Sequence, residues 1–169
     1  MEITQGKEKS ICLNMIVKDE CEIIIETLDN LCKFFNFSYW VICDTGSQDN
    51  TKEIIREYFL EKGISGELIE DVWVDFAYNR TRALNAAFNK TDYLLMADAD
   101  DRIYNNLKLP NLILDQYSVR FGTEFTYYRP ILLSNRRKWK YIGILHECLQ
   151  YIGDIPSQTK IDGDYYFGI

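Results

Sequence analysis

At 169 residues with 47% hydrophobic and 14% aromatic content, the chain can bury a core as one domain, which excludes disorder and low complexity. A net charge of -7 excludes a grip on nucleic-acid phosphates, which needs clustered Lys and Arg; the one dense basic cluster is Arg136, Arg137, Lys138 and Lys140. Five cysteines, at 12, 21, 32, 43 and 148, are odd in number and form no C-x-x-C pair, so free thiols in a reducing compartment are expected rather than a disulfide frame or a zinc site.

Ile11 to Val17 is a β-rich run, and Ile24, Leu28, Leu31 and Phe35 follow at helical spacing after the acids Asp19 and Glu20. Ser38 to Cys43 predicts a second strand, broken at Asp44-Thr45-Gly46-Ser47-Gln48-Asp49-Asn50-Thr51, a cluster of turn and capping residues. The next helix carries Ile54, Ile55, Tyr58 and Phe59 and ends at Gly63 to Gly66. Glu67 to Trp73 predicts a third strand, and Phe76 to Phe88 a third helix with Ala83, Leu84 and Ala87 on its apolar face. Tyr93-Leu94-Leu95-Met96 is a fourth, wholly apolar strand. Repeated strand-helix units with short connections imply a parallel, doubly wound α/β sheet.

Beyond Asp101 the pattern changes. Leu107 to Leu114 is ambiguous because of Pro110, whereas Ser118 to Phe121, Phe125 to Leu133 and Lys138 to Ile142 read as strands joined at Gly122-Thr123 and Ser134-Asn135. This half is expected to add antiparallel strands. No repeat or linker divides the chain, so residues 1–169 are expected to form one domain, and the apolar end at Tyr165 to Ile169 suggests the N-terminal part of a longer protein. Met1 to Lys7 holds no apolar signal core and no run reaches membrane length, so a cytoplasmic location without a transmembrane segment is expected.

The fourth strand delivers Asp98, Asp100 and Asp101 to a sheet edge, where open α/β sheets bind ligands. Three carboxylates this close repel one another unless a cation neutralises them, and hard oxygen donors suit Mg2+ or Mn2+. A calcium EF-hand is excluded, since counting from Asp98 the sixth and twelfth positions hold Ile103 and Leu109 rather than Gly and Glu. A dehalogenase-type phosphatase would carry its Asp-x-Asp near the start of the chain, whereas three strand-helix units come first in this one. Neither a P-loop nor a G-x-G-x-x-G fingerprint occurs, so a metal is left to bind a diphosphate.

Five segments, in order, carry a resemblance: Ile11-Cys12-Leu13-Asn14-Met15-Ile16-Val17-Lys18-Asp19-Glu20, Cys43-Asp44-Thr45-Gly46-Ser47-Gln48-Asp49-Asn50-Thr51, Trp73-Val74-Asp75-Phe76-Ala77-Tyr78-Asn79-Arg80, Asp98-Ala99-Asp100-Asp101, and Trp139-Lys140-Tyr141-Ile142-Gly143-Ile144-Leu145-His146-Glu147. Together they resemble the family 2 glycosyltransferases of GT-A fold. The resemblance implies a Rossmann-like three-layer αβα sandwich whose mostly parallel central sheet gains antiparallel strands toward its C-terminal part. It further implies a metal-dependent, inverting transfer of a sugar from a nucleotide-sugar donor, a UDP-sugar, to an acceptor hydroxyl on a saccharide or protein, with Mn2+ or Mg2+ as cofactor.

The family's roles pass to matching positions, each beside a plainer alternative. Asp44 would accept from the uracil imide, or simply cap the Thr45-Gly46 bend. Ile16 and Val17 would touch the nucleoside, or merely be buried strand. Asp75 and Arg80 bracket the third helix's start and would favour the nucleotide's charge; alternatively Arg80 pairs with Asp75 or Asp71. Asp98 would meet the ribose or the metal's water, Asp100 would coordinate the metal, and Asp101 would be auxiliary. His146, the only histidine, would complete the metal site or be a core residue. Glu147 would be the general base, although strand alternation would aim it away from His146. Thr81 stands where this branch usually has Asn. A rival of another class, a nucleotide-sugar-binding module without turnover, needs the same donor residues and no base.

Overall fold

The computed structural model describes residues 8–143 and 147–169. In chain order it contains β1 (Ile11–Val17), α1 (Ile24–Phe34), β2 (Phe37–Asp44), α2 (Thr51–Lys62), β3 (Gly66–Glu70), α3 (Phe76–Ala87) and β4 (Tyr93–Met96). The second half consists of β5 (Arg102–Asn105), β6 (Gln116–Phe121), β7 (Tyr127–Ser134), β8 (Trp139–Ile142), β9 (Cys148–Tyr151), β10 (Gln158–Lys160) and β11 (Tyr165–Gly168). The main sheet runs β3-β2-β1-β4-β7-β6-β11-β5, with β10 also paired to β6, and β8 and β9 form a separate hairpin.

The pairs among β3, β2, β1 and β4 are all parallel, and β1 and β4, in the middle of the sheet, are the most completely buried, as strands covered on both faces are. From β1 the chain steps outward through β2 to β3, then crosses back to place β4 on the other side of β1. Because crossovers are right-handed, that reversal sends α3 to the face opposite α1 and α2. The contacts agree: α1 packs on α2, and α3 packs on β1, β2 and β8. The reversal also opens a crevice at the carboxyl ends of β1 and β4, the usual place for a ligand. β7 then joins antiparallel to β4, and β6 antiparallel to β7.

One difference from the expected elements has an identifiable cause. β3 stops at Glu70 instead of reaching Trp73, because Asn79 of α3 supplies the loop's hydrogen bonds: its Nδ2 donates to Val72 O at 2.9 Å and its Oδ1 accepts from Val74 N at 3.0 Å. The segment 107–114 is neither helix nor strand, yet it buries Leu107 and Leu112 against the core. The C-terminal aromatic run is β11, antiparallel to β5 and bridged to β6, with Tyr165 and Phe167 fully buried.

The tight reversal between β6 and β7 depends on Gly122, whose φ is +79° and whose added Cβ would lie 2.2 Å from Phe125 O. Gly122→Ala is therefore expected to cost about 2–4 kcal/mol, combining left-handed strain with the clash. Urea unfolding of the variant checks this; a loss below 1 kcal/mol would show that the turn relaxes freely.

Candidate active site

Asp98 to Asp101 form a tight turn directly after β4. The Asp98 N–H donates to Asp101 Oδ2 at 2.8 Å, and the Asp101 N–H donates to Asp98 O at 3.2 Å. Asp101 is thus the turn's internal acceptor; burial, then the charge of Asp98, pushes its carboxyl up to about 6.

The Asp98 side chain is clamped by two arginines. Arg80 Nη2 lies 2.6 Å from Oδ1, and Arg129 Nη2 lies 3.2 Å from Oδ2. Burial opposes ionisation of Asp98, but Arg80 and then Arg129 outweigh it and hold the carboxyl below its ordinary range. Arg80 comes from α3, is buried, and lies between the rings of Phe76 (5.9 Å) and Tyr141 (5.7 Å). Its Nε also reaches Glu147 Oε1 at 3.2 Å. One guanidinium therefore ties two carboxylates together, a fork that an ammonium could not reproduce.

The expected alternative partners of Arg80 are occupied otherwise. Asp71 pairs with Arg82 at 3.4 Å, and Asp75 is the N-cap of α3, accepting from Tyr78 N at 2.7 Å. Glu147 precedes β9 and lies in the connection from β8, so strand alternation does not govern its direction. Thr81 receives the Tyr141 N–H at 2.8 Å and docks the β8–β9 hairpin onto α3. His146 lies outside the described residues.

Beside this cluster is a cavity of ≈ 260 Å³. Ile16 and Val17 line it at the end of β1, together with Lys18, Glu20 and Thr45; Trp73 and Phe76 form an aromatic wall, edge to face at 4.9 Å. Burial, then the charge of Asp100, raises the Glu20 carboxyl above its ordinary value, which couples the cavity electrostatically to the acidic turn. Asp44 is not among the residues described as lining it. Its Oδ1 accepts from Gly46 N at 3.0 Å and Ser47 N at 2.9 Å, and its Oδ2 accepts from the Ser47 hydroxyl. These are the contacts of the turn-capping alternative, with Gly46 at φ +107° closing the bend around that carboxylate.

One carboxylate oxygen from each of Asp98, Asp100 and Asp101 can be chosen so that all lie within 4.8 Å of one another. These hard oxygen donors fit a divalent ion such as Mn2+ or Mg2+. They are not equivalent: Asp98 holds two arginines and Asp101 holds the turn, while Asp100 makes no hydrogen bond or ion pair among the described residues. Asp100 is the donor left for an ion.

One contributor lies outside every motif segment, Arg129, inside a strand with no signature; Glu20 and Phe76 fall within the segments but have no site role assigned by them. Trp73 falls in the same segment as Phe76, and its position in the loop, beyond the end of β3, turns it to the cavity.

The model of the family described as "Glycosyl transferase family 2" matches residues 12–144. No curated protein matches the sequence significantly. Among solved structures, the chain is similar to the mannosyltransferase PcManGT from Pyrobaculum calidifontis in complex with GDP-Man and Mn2+, at TM-score 0.50 and 20% identity over 57% of this chain and 29% of that one. It is similar to S. aureus TarS 1-349 in complex with UDP, at TM-score 0.52 and 18% identity over 67% and 36%. It is also similar to GalNAc-T7 with UDP, GalNAc and Mn2+, at TM-score 0.54 and 15% identity over 69% and 24%. The alignments thus span little more than a third, at most, of these neighbours' length, and at such identities the likeness is one of fold: a mixed α/β GT-A architecture.

Proposed function

The chain belongs to glycosyl transferase family 2, and from that premise we propose that it transfers a sugar from a nucleoside-diphosphate sugar, a UDP-sugar, to an acceptor hydroxyl with inversion. The observation that carries this reading is the cluster of Asp98, Arg80 and Glu147 next to the unengaged Asp100, at the rim of an aromatic-walled cavity. UDP is favoured because two of the neighbours were solved with it, although PcManGT was solved with GDP-Man.

In this reading the nucleoside enters the cavity over Ile16 and Val17, and the rings of Trp73 and Phe76 cover the base. Asp98, fixed by Arg80 and Arg129, accepts from a ribose hydroxyl. Asp75 acts through the start of α3, which it caps, rather than by direct contact. Asp100 would hold Mn2+ or Mg2+, with Asp98 and His146 as further donors; a bound ion would neutralise charge on the departing diphosphate. The acceptor oxygen bonds to the anomeric carbon from the side opposite the diphosphate, whose bond to that carbon breaks, so a single displacement inverts the centre. Glu147, held by Arg80, takes the proton released by the acceptor hydroxyl.

No described helix is long and apolar enough to cross a membrane. Action in the cytoplasm, and a further domain that would carry part of the acceptor site, belong to the same proposal.

The test is UDP release from a panel of UDP-sugars with MnCl2. Turnover of one donor is expected, and Glu147→Gln is expected to lower it by about 10²–10⁴ while leaving UDP affinity within a factor of two. Donor binding without turnover under any acceptor would favour the non-catalytic binding module instead.

A further inference from the structure

A line of aromatic rings leads outward from the Asp98 clamp along the β6–β7 hairpin. The register that sets Leu95 opposite Leu132 carries β7 past the end of β4, so that Arg129 comes level with Asp98 and contacts it at 3.2 Å. Val119 and Phe121 of β6 are the cross-strand partners of Arg129 and Tyr127, so these side chains share one face. The Arg129 guanidinium lies 4.5 Å from the Phe121 ring centre, Phe121 stacks on Tyr127 at 5.4 Å and 19°, and Tyr127 stands 6.4 Å from Phe125. Burial falls along the line, from 4% exposure at Phe121 to 45% at Tyr127 and 83% at Phe125.

Rings this exposed at the mouth of a site need an occupant whose chemistry matches them. The C–H bonds on one face of a pyranose are weakly positive and meet the negative face of an aromatic ring, while the sugar's hydroxyls stay in water. Tyr127 and Phe125, tilted 37° to one another, offer such a ligand two exposed ring faces. The line of rings also begins at Arg129, which holds the carboxylate assigned to the donor side. We infer that Tyr127 and Phe125 form a stacking platform for a saccharide acceptor, which orients a pyranoside so that its next hydroxyl points toward Glu147 and the anomeric carbon. The inference rests on the transferase reading and names its acceptor class.

The intact protein would be examined by saturation-transfer NMR with UDP and MnCl2 present and cellotetraose, maltotetraose and chitotetraose as probes. One of the three is expected to receive saturation on its ring C–H protons. Phe125→Ser and Tyr127→Ser should each weaken that binding about three- to tenfold, and Tyr127→Phe should restore it. No saccharide signal in the parent, a signal unchanged by both serine variants, or ring-dependent adsorption to phosphatidylcholine vesicles in place of saccharide binding would each overturn the platform. Calorimetry with UDP on the same samples tests the donor site separately. Absence of UDP binding sinks the transferase reading; UDP binding without a ring-dependent saccharide signal sinks the platform alone.

Discussion

Asp100→Asn is expected to remove the increment in UDP affinity that Mn2+ confers on the parent and to lower turnover by at least about 10²–10³. The three acids of the turn are chemically alike but already committed to different partners. Asp98 balances two arginines, and Asp101 receives the Asp98 N–H that closes the turn. Asp100 alone has no such role among the described residues, so its removal subtracts a metal donor and little structure. Its Tm is therefore expected to stay within about 2 °C of the parent, as for other substitutions that break no packed contact. Asp101→Ala should show the converse pattern: it orphans a backbone N–H and destabilises the turn by about 1–3 kcal/mol without deleting the assigned donor. Calorimetric titration of UDP with and without MnCl2, and after EDTA, reads the effect directly. If Asp100→Asn binds UDP with the parent's metal dependence, the assignment of the ion to Asp100 is wrong.

The parts of this arrangement that were legible in the sequence are those written locally. Tyr93 to Met96 announces a covered strand because every residue is apolar, and its acids then fall at the sheet edge by chain connectivity alone. Arg80 was placed near the start of a helix by the apolar spacing of Ala83, Leu84 and Ala87 after it. What was not legible depends on pairings between distant segments. Arg129 is 31 positions from Asp98 and meets it only through the antiparallel register of β7 on β4. Trp73 looked like strand because its neighbours are β-branched; that the loop peels away is decided by Asn79, whose amide substitutes for the sheet partner. The turn-capping contacts of Asp44 were legible because the glycine two positions later folds the backbone onto its carboxylate. The short strands β5 and β9 to β11, of three or four residues each, carry too little periodicity to be detected before their partners are known.

Arg80→Leu is expected to be the most destabilising single change in the site, about 3–5 kcal/mol, or roughly 6–20 °C in Tm. The Arg80 side chain is 9% exposed, and it faces Asp98 and Glu147, which are 25% and 21% exposed. Removing it leaves two carboxylates near one another with only Arg129 opposite, and Arg129 reaches Asp98 alone. Neither acid is fully exposed, so water recovers only part of the lost solvation, while leucine still fills the space between Phe76 and Tyr141 and limits the packing loss. The cost is thus mainly electrostatic, and this makes it separable. Arg80→Lys keeps the charge but cannot fork to both acids, so it should recover about half of the stability and hold only one carboxylate in place. Arg80→Leu combined with Glu147→Gln removes one of the stranded charges and should be more stable than Arg80→Leu alone, a positive coupling of at least about 1 kcal/mol in a double-mutant cycle. Thermal and urea unfolding of the four proteins measures that coupling. Additive effects, or a loss no larger than that of Arg56→Leu on the exposed face of α2, would mean that the guanidinium does not hold Asp98 and Glu147 together in solution.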